Sequence, residues 1–146
     1  MALQASTGLR DKLLDTNSLK SIFALGFIKI YSGAVPANAD AATTGTLLCT
    51  ISNNSTATGI NMAAAAVAGV LEKLASETWS GVNATGGTAT HYRHVAVGDT
   101  GALSTTEARL QGLVGTVGVE MNLSSTTLTS GATQTLDFYS VQLPTL

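Results

Sequence analysis

The chain has 146 residues and a net charge of −2, with 45% of its residues hydrophobic and only 11% charged. Typical soluble domains carry about 25% charged residues; here Thr, Ser, Gly and Ala fill the gap, as expected of a surface meant to be covered. The seven basic residues are scattered, which argues against the clustered cationic footprint that nucleic-acid backbones require. The longest apolar stretch, residues 62–71, is far shorter than the ~20 residues that span a bilayer, so neither direct nucleic-acid contact nor membrane anchoring is expected.

A chain of this length suits one hydrophobic core and needs neither disulfides nor metal to fold. Cys49, the lone cysteine, lies in the apolar run Leu47-Leu48-Cys49-Thr50-Ile51 and reads as a small buried hydrophobe. The opening Met1-Ala2-Leu3-Gln4-Ala5-Ser6 lacks the charged and long apolar regions of a secretory signal, so export by the general route is not expected.

Residues 1–26 read as an N-terminal arm with one or two short helices. Leu9, Leu13 and Leu14 share one side of a first segment, and Leu19, Ile22 and Phe23 mark a second. Between them, Asn17 or Ser18 can accept from the free N–H groups that open the second helix, and Gly26 can supply a left-handed residue to end it. Helices this short are marginal alone, so their apolar stripes must dock on the domain or on a neighbouring subunit.

From Phe27 onward the period changes from 3.6 to 2, predicting a single β-sandwich domain over residues 27–146. Phe27-Ile28-Lys29-Ile30-Tyr31 opens it; residues 32–45 read as a loop with room for one helical turn; Leu47 to Ile51 reads as the returning strand and residues 53–59 as turn. Met62-Ala63-Ala64-Ala65-Ala66-Val67-Ala68-Gly69 has high helix propensity, yet Ala and Gly also serve where backbones approach closely, and the two readings stay open. Val117, Val119, Met121 and Leu123 alternate with Gly118, Glu120 and Asn122, predicting a half-buried strand. A long final strand is predicted over residues 133–143, with Leu136 and Phe138 on one face, Val141 and Leu143 on the other, and a bulge or a change of packing environment between. Pro144 ends the pairing.

Trp79-Ser80-Gly81, Gly86-Gly87-Thr88-Ala89-Thr90-His91-Tyr92-Arg93, Leu110-Gln111-Gly112-Leu113-Val114-Gly115 and Glu120-Met121-Asn122-Leu123-Ser124-Ser125-Thr126 follow one another as in small structural proteins of tailed bacteriophages. Phe27-Ile28-Lys29-Ile30-Tyr31-Ser32-Gly33, Pro36-Ala37-Asn38-Ala39-Asp40-Ala41-Ala42 and Gly45-Thr46-Leu47-Leu48 fit the same pattern. Over residues 9–143 the chain most resembles a capsid decoration, or cement, protein, which implies a mainly β fold, a jelly-roll-like antiparallel β-sandwich. The resemblance further implies a non-enzymatic role on the outer capsid surface of a virion assembled in the host bacterial cytoplasm. Its implied partners are the phage major capsid protein and further copies of itself; a dimer is favoured over a trimer because twofold pairing is the commonest closed arrangement of soluble oligomers. The chain departs from the family at Thr90-His91-Tyr92-Arg93-His94, where a usually apolar strand holds two histidines. This leaves open whether that strand is central or at an edge.

No residue grouping points to catalysis, a cofactor or a metal. His91 and His94, three apart on a strand, fall on opposite faces, and no CxxC or HExxH grouping exists. No G-x-S-x-G turn presents a serine to a base. Gly86-Gly87 and the glycines at 98 and 101 lack the pattern of a nucleotide loop. Asp99 and Glu107 flank a loop but offer few of the oxygens calcium wants.

A protein that braces a shell must cover a joint between subunits with a patch poor in charge, and repeated copies add avidity. The candidate contact residues are Leu3, Leu9, Leu13 and Leu14 in the arm, Met62 and Val67 in the Ala-rich segment, and Leu143 and Leu146 in the tail. Two other functions fit a charge-poor sandwich: a tail, neck or head-completion component, and a receptor- or glycan-binding module that would present Trp79, Tyr92 or Tyr139 in a groove.

Overall fold

A computed structural model describes residues 2–145. The fold is mainly β, with one large, chiefly antiparallel sheet and two short helices, consistent with a β-sandwich. In chain order it comprises β1 (Gln4–Ala5), α1 (Thr7–Leu14), α2 (Leu19–Ile22), β2 (Phe27–Tyr31), β3 (Leu47–Asn53), β4 (Val70–Glu72), β5 (Trp79–Val82) and β6 (Gly87–Thr88). There follow β7 (His91–Val95), β8 (Arg109–Gly115), β9 (Met121–Asn122), β10 (Thr127–Leu128), β11 (Thr133–Leu136) and β12 (Ser140–Gln142). The 8-stranded sheet runs β1-β8-β7-β2-β3-β5-β11, with β9 attached to β8; β6 with β10 and β4 with β12 form separate ribbons.

The histidine-bearing strand β7 lies in the middle of the large sheet, between β2 and β8. Register sorts its side chains. Ile28 pairs with His94 and His94 with Leu110, while Ile30 pairs with Tyr92 and Tyr92 with Gly112. These rows share the apolar face, where Ile51 and Cys49 of β3 continue them and Phe23, Trp79 and Leu136 complete the core. The alternate rows, Lys29–Arg93–Gln111 and Tyr31–His91–Leu113, point the other way. His91 and His94 therefore do fall on opposite faces, as their odd spacing predicts.

The arm is fastened to this sheet. β1 pairs with β8, matching Gln4 to Gln111 and Ala5 to Leu110. Ser6 caps α1, its hydroxyl accepting from the Leu9 amide at 3.1 Å and donating to the Glu107 carbonyl at 2.7 Å. Ser18 caps α2 within a capping box closed by Ser21. Gly26 does not end that helix as expected. Leu25 takes the left-handed conformation, at φ 57°, and Gly26 is needed for space, since a Cβ there would press on the Val95 carbonyl.

Three further expectations change. The alternating run at 117–123 forms no strand along its length: residues 116–120 bend, Gly118 sits at φ 71°, and Val117 is exposed. A left-handed residue breaks the pleat, the Glu120 carboxylate turns back to accept from the Leu113 amide at 2.9 Å, and only Met121–Asn122 pairs, parallel to β8. The single long strand at 133–143 is two strands in different sheets, β11 on β5 and β12 on β4. Its shift of parity marks that change of partner, and it leaves Leu136 and Val141 buried but Phe138 in solvent. The Ala-rich segment is not a helix, and only its start is core: Met62 is buried and Ala63 packs against the core, whereas residues 64–69 are exposed, with isolated bridges at Met62–Lys73 and Val67–Val70.

Candidate functional site

The polar face of the sheet is covered by the loop at residues 36–42 and by the loop after β7, and the side chains beneath are held by directed hydrogen bonds. Arg109 is fully buried and forks onto Asp99, with Nε to Oδ2 at 2.6 Å and Nη2 to Oδ1 at 2.7 Å. Its remaining donors reach the carbonyls of Ala39, Asp40 and Ala102. Burial pushes the Asp99 carboxyl up, but the Arg109 and Gly101 donors and nearby positive charge prevail and hold it below its usual value. Gln111 donates to the Pro36 carbonyl at 2.9 Å and to Gln4 Oε1 at 3.0 Å, and it accepts from Arg93 Nε at 2.9 Å. One row of side chains thus ties together the arm, the 36–42 loop and the sheet. Both Asp99 oxygens are engaged, so the cation reading at Asp99 and Glu107 loses its better ligand.

The histidines are placed to be neutral. Thr90 Oγ1 lies 2.7 Å from the Gly33 carbonyl and 3.3 Å from that of Tyr31, and His91 Nδ1 is hydrogen-bonded to it at 2.9 Å. Desolvation, aided by the positive charge of Arg93, lowers His91 to about 4. On the opposite face His94 stacks on Phe23, centroids 4.2 Å apart, and lies near Trp79 and Tyr139. Burial lowers it to about 3. Neither is poised as a base at neutral pH, and the Cys49 thiol, pushed up by burial to about 11, stays protonated. Among the described residues no three metal-ligating side chains come together.

The structure divides the expected contact residues. Leu9 is 0% exposed, and Met62 too is buried; as part of the chain's own core they offer a partner no surface, which corrects the expectation for both. Leu3 is half-buried against that core. Leu13 is partly exposed and Leu14, 86% exposed, stands in solvent, so the expected common stripe with Leu9 splits: a short helix turns successive leucines to different sides. Val67 and Leu143 are 75% and 72% exposed. Leu146 lies outside the described residues.

Two of these regions converge. The Ala-rich loop, α2 and the tail enclose an apolar groove of about 350 Å³, with Leu19, Ala64, Ala66, Leu71, Val141 and Leu143 among its walls. Lys20 fixes one side by donating to the Ala64 carbonyl at 2.8 Å. Composition singled out the alanines and the tail, but only β12 pairing on β4 brings them together.

Sequence reasoning missed Phe138, which is 94% exposed. Its parity with Leu136 suggests a shared buried face; the register change between β11 and β12 is the signal that could have removed it. Of the three aromatics considered for a sugar groove, Trp79 and Tyr92 are buried and only Tyr139 is partly accessible. Comparison of the chain with protein-family models, with curated proteins and with solved structures gives no match.

Proposed function

We propose that this chain is a non-enzymatic virion structural protein, a jelly-roll-like decoration protein that binds the outside of a tailed-phage capsid and bridges major capsid subunits. The observation that carries the docking part is the set of large apolar side chains standing in solvent on a charge-poor chain: Phe138, Leu14, Val117, Val67, Leu103 and Leu143. Joined apolar surface marks association sites, and around Leu143 such surface is joined, in the groove that Leu19, Leu71, Val141 and the alanines share with it. The virion part rests on the resemblance of the strand and turn segments to phage structural proteins. Burial of Trp79 and Tyr92 weakens the glycan-binding alternative.

The test is to mix purified, undecorated phage shells with the chain, follow co-sedimentation and record the temperature at which the shells open. The proposal expects saturable attachment at a fixed number of copies per shell and a higher opening temperature. Attachment confined to the portal vertex or tail would replace it with the neck or tail reading, and no attachment to any particle component would remove it.

A further inference from the structure

The surface around Phe138 has a charge as well as a shape. Between β11 and β12 the ring projects from the fold, 94% exposed, with clefts on either side. One, of about 440 Å³, runs past Glu72, Lys73, Glu77, Trp79 and Asp137; another, of about 300 Å³, passes Glu120, Asn122 and Tyr139. Four of the chain's nine acidic residues, Glu72, Glu77, Glu120 and Asp137, line these two clefts, and Lys73 is the one basic residue beside them.

That lysine is already engaged. Its ammonium donates to the Glu77 carbonyl at 2.6 Å and to the Leu74 carbonyl at 3.3 Å, and it lies 5.5 Å from the Trp79 ring centre. Glu77 and Glu120 are held by neutral donors, Asn61 and Trp79 for the first and the Leu113 amide for the second. Glu72 and Asp137 are exposed, and among the described residues the only ion pair is Arg109 with Asp99. All four carboxylates therefore lack a cationic partner. Beside them β11 ends the large sheet, pairing only with β5, and a further cleft of about 190 Å³ lies between its residues Gln134 to Leu136 and Asn122 to Ser124, so this edge of the sheet borders a cleft that can take an extended segment.

We infer that this face docks an extended, lysine- or arginine-bearing segment of another protein, laid along the β11 edge with apolar side chains against Phe138 and cations over Asp137 and Glu72. The charge decides the occupant: a second copy presenting the same face would bring four carboxylates against four, whereas a basic segment relieves them. This deepens the docking reading above and rests on it for the partner being a protein.

The test uses the full chain and two short fluorescein-labelled peptides, one alternating lysine with valine and one alternating glutamate with valine, followed by fluorescence anisotropy at low and high salt. The lysine peptide is expected to bind, to weaken with salt, and to lose about tenfold or more in affinity, about 1.4 kcal/mol, with Glu72→Lys/Asp137→Lys and again with Phe138→Ala. All three positions are exposed, so thermal unfolding should confirm that the variants stay folded. Equal binding of the glutamate peptide, no binding of the lysine peptide, or unchanged affinity in folded variants overturns the inference. So does a dimer of the unmodified chain that Phe138→Ala converts to monomer in sedimentation equilibrium. Because no shell is present, peptide binding without shell attachment would fault the virion reading alone, and shell attachment without peptide binding this inference alone.

Discussion

The two faces of the central sheet solve the same problem by opposite chemistry. On one, Ile28, Ile30, Tyr92 and Leu110 pack with Trp79 and Phe23 into an apolar core; on the other, Arg93, Arg109 and Gln111, all buried, hold a loop by hydrogen bonds to its carbonyls and the N-terminal arm through the Gln4 side chain. Apolar packing is non-directional and tolerates exchange of similar shapes. A buried guanidinium tolerates little, because loss of a partner leaves a charge away from water. The polar face thus specifies where the arm and the 36–42 loop lie, while the apolar face supplies non-directional burial.

The sharpest way to break this comparison is to remove one member of the buried pair. Asp99→Ala, which strands Arg109, is expected to destabilise the fold by about 3–5 kcal/mol in chemical denaturation. Replacing both, as Asp99→Leu with Arg109→Met, should recover part of that loss, because it removes the stranded charge but leaves the Ala39, Asp40 and Ala102 carbonyls without their donor. Recovery would mean the pair fixes position more than it stabilises. On the apolar face Ile30→Ala should lose about 2–5 kcal/mol through a cavity, and no second substitution on the polar face should restore it.

Acid sharpens the contrast further. His91 and His94 have folded values of about 4 and about 3, below the ordinary value near 6.5, so between these limits the unfolded chain binds more protons than the folded one. Stability is therefore full above about pH 6.5 and falls as pH drops toward 4, by about 2 kcal/mol per histidine at pH 5 if the unfolded values are ordinary. Asp99, held low by Arg109 and Gly101, and Asp40, held low by the Thr7 hydroxyl and amide, contribute stability that is lost only at still lower pH. Denaturation midpoints measured from pH 8 to 4 should show the slope, and a His91→Gln/His94→Phe variant that stays folded should flatten it above pH 4.

The smallest effect belongs to the surface. Leu14→Ser and Leu143→Ser lie outside the core and should change stability by no more than about 0.5 kcal/mol while weakening attachment to shells. Equal attachment of wild type and both variants would remove these residues from the docking surface.

The class of fold and several elements were legible because local patterning governs them: Phe27 to Tyr31 alternates, Ser18 can cap, and the polar run after Ile51 turns, although only at residues 54–57, since Asn53 still pairs with Trp79 and bridges Thr58. What was not legible depends on partners distant in sequence. Leu9 is core because β1 draws the arm onto β8, and Phe138 is exposed because the chain leaves β5 for β4 after Leu136. The run at 117–123 alternates well enough for a strand, yet a left-handed Gly118 and the bond from the Leu113 amide to Glu120 decide otherwise. The buried arginine network left no local trace, since Arg93 and Arg109 look like scattered surface charges until β7 and β8 are set side by side.

Cryo-electron microscopy of tailed-phage particles assembled in the presence of this chain tests the central claim most directly. The account predicts density on the outside of the shell at joints between major capsid subunits, with the groove beside Leu143 or the face around Phe138 turned toward them. Particles that lack the chain, or that hold it with both of these surfaces facing solvent, would contradict it.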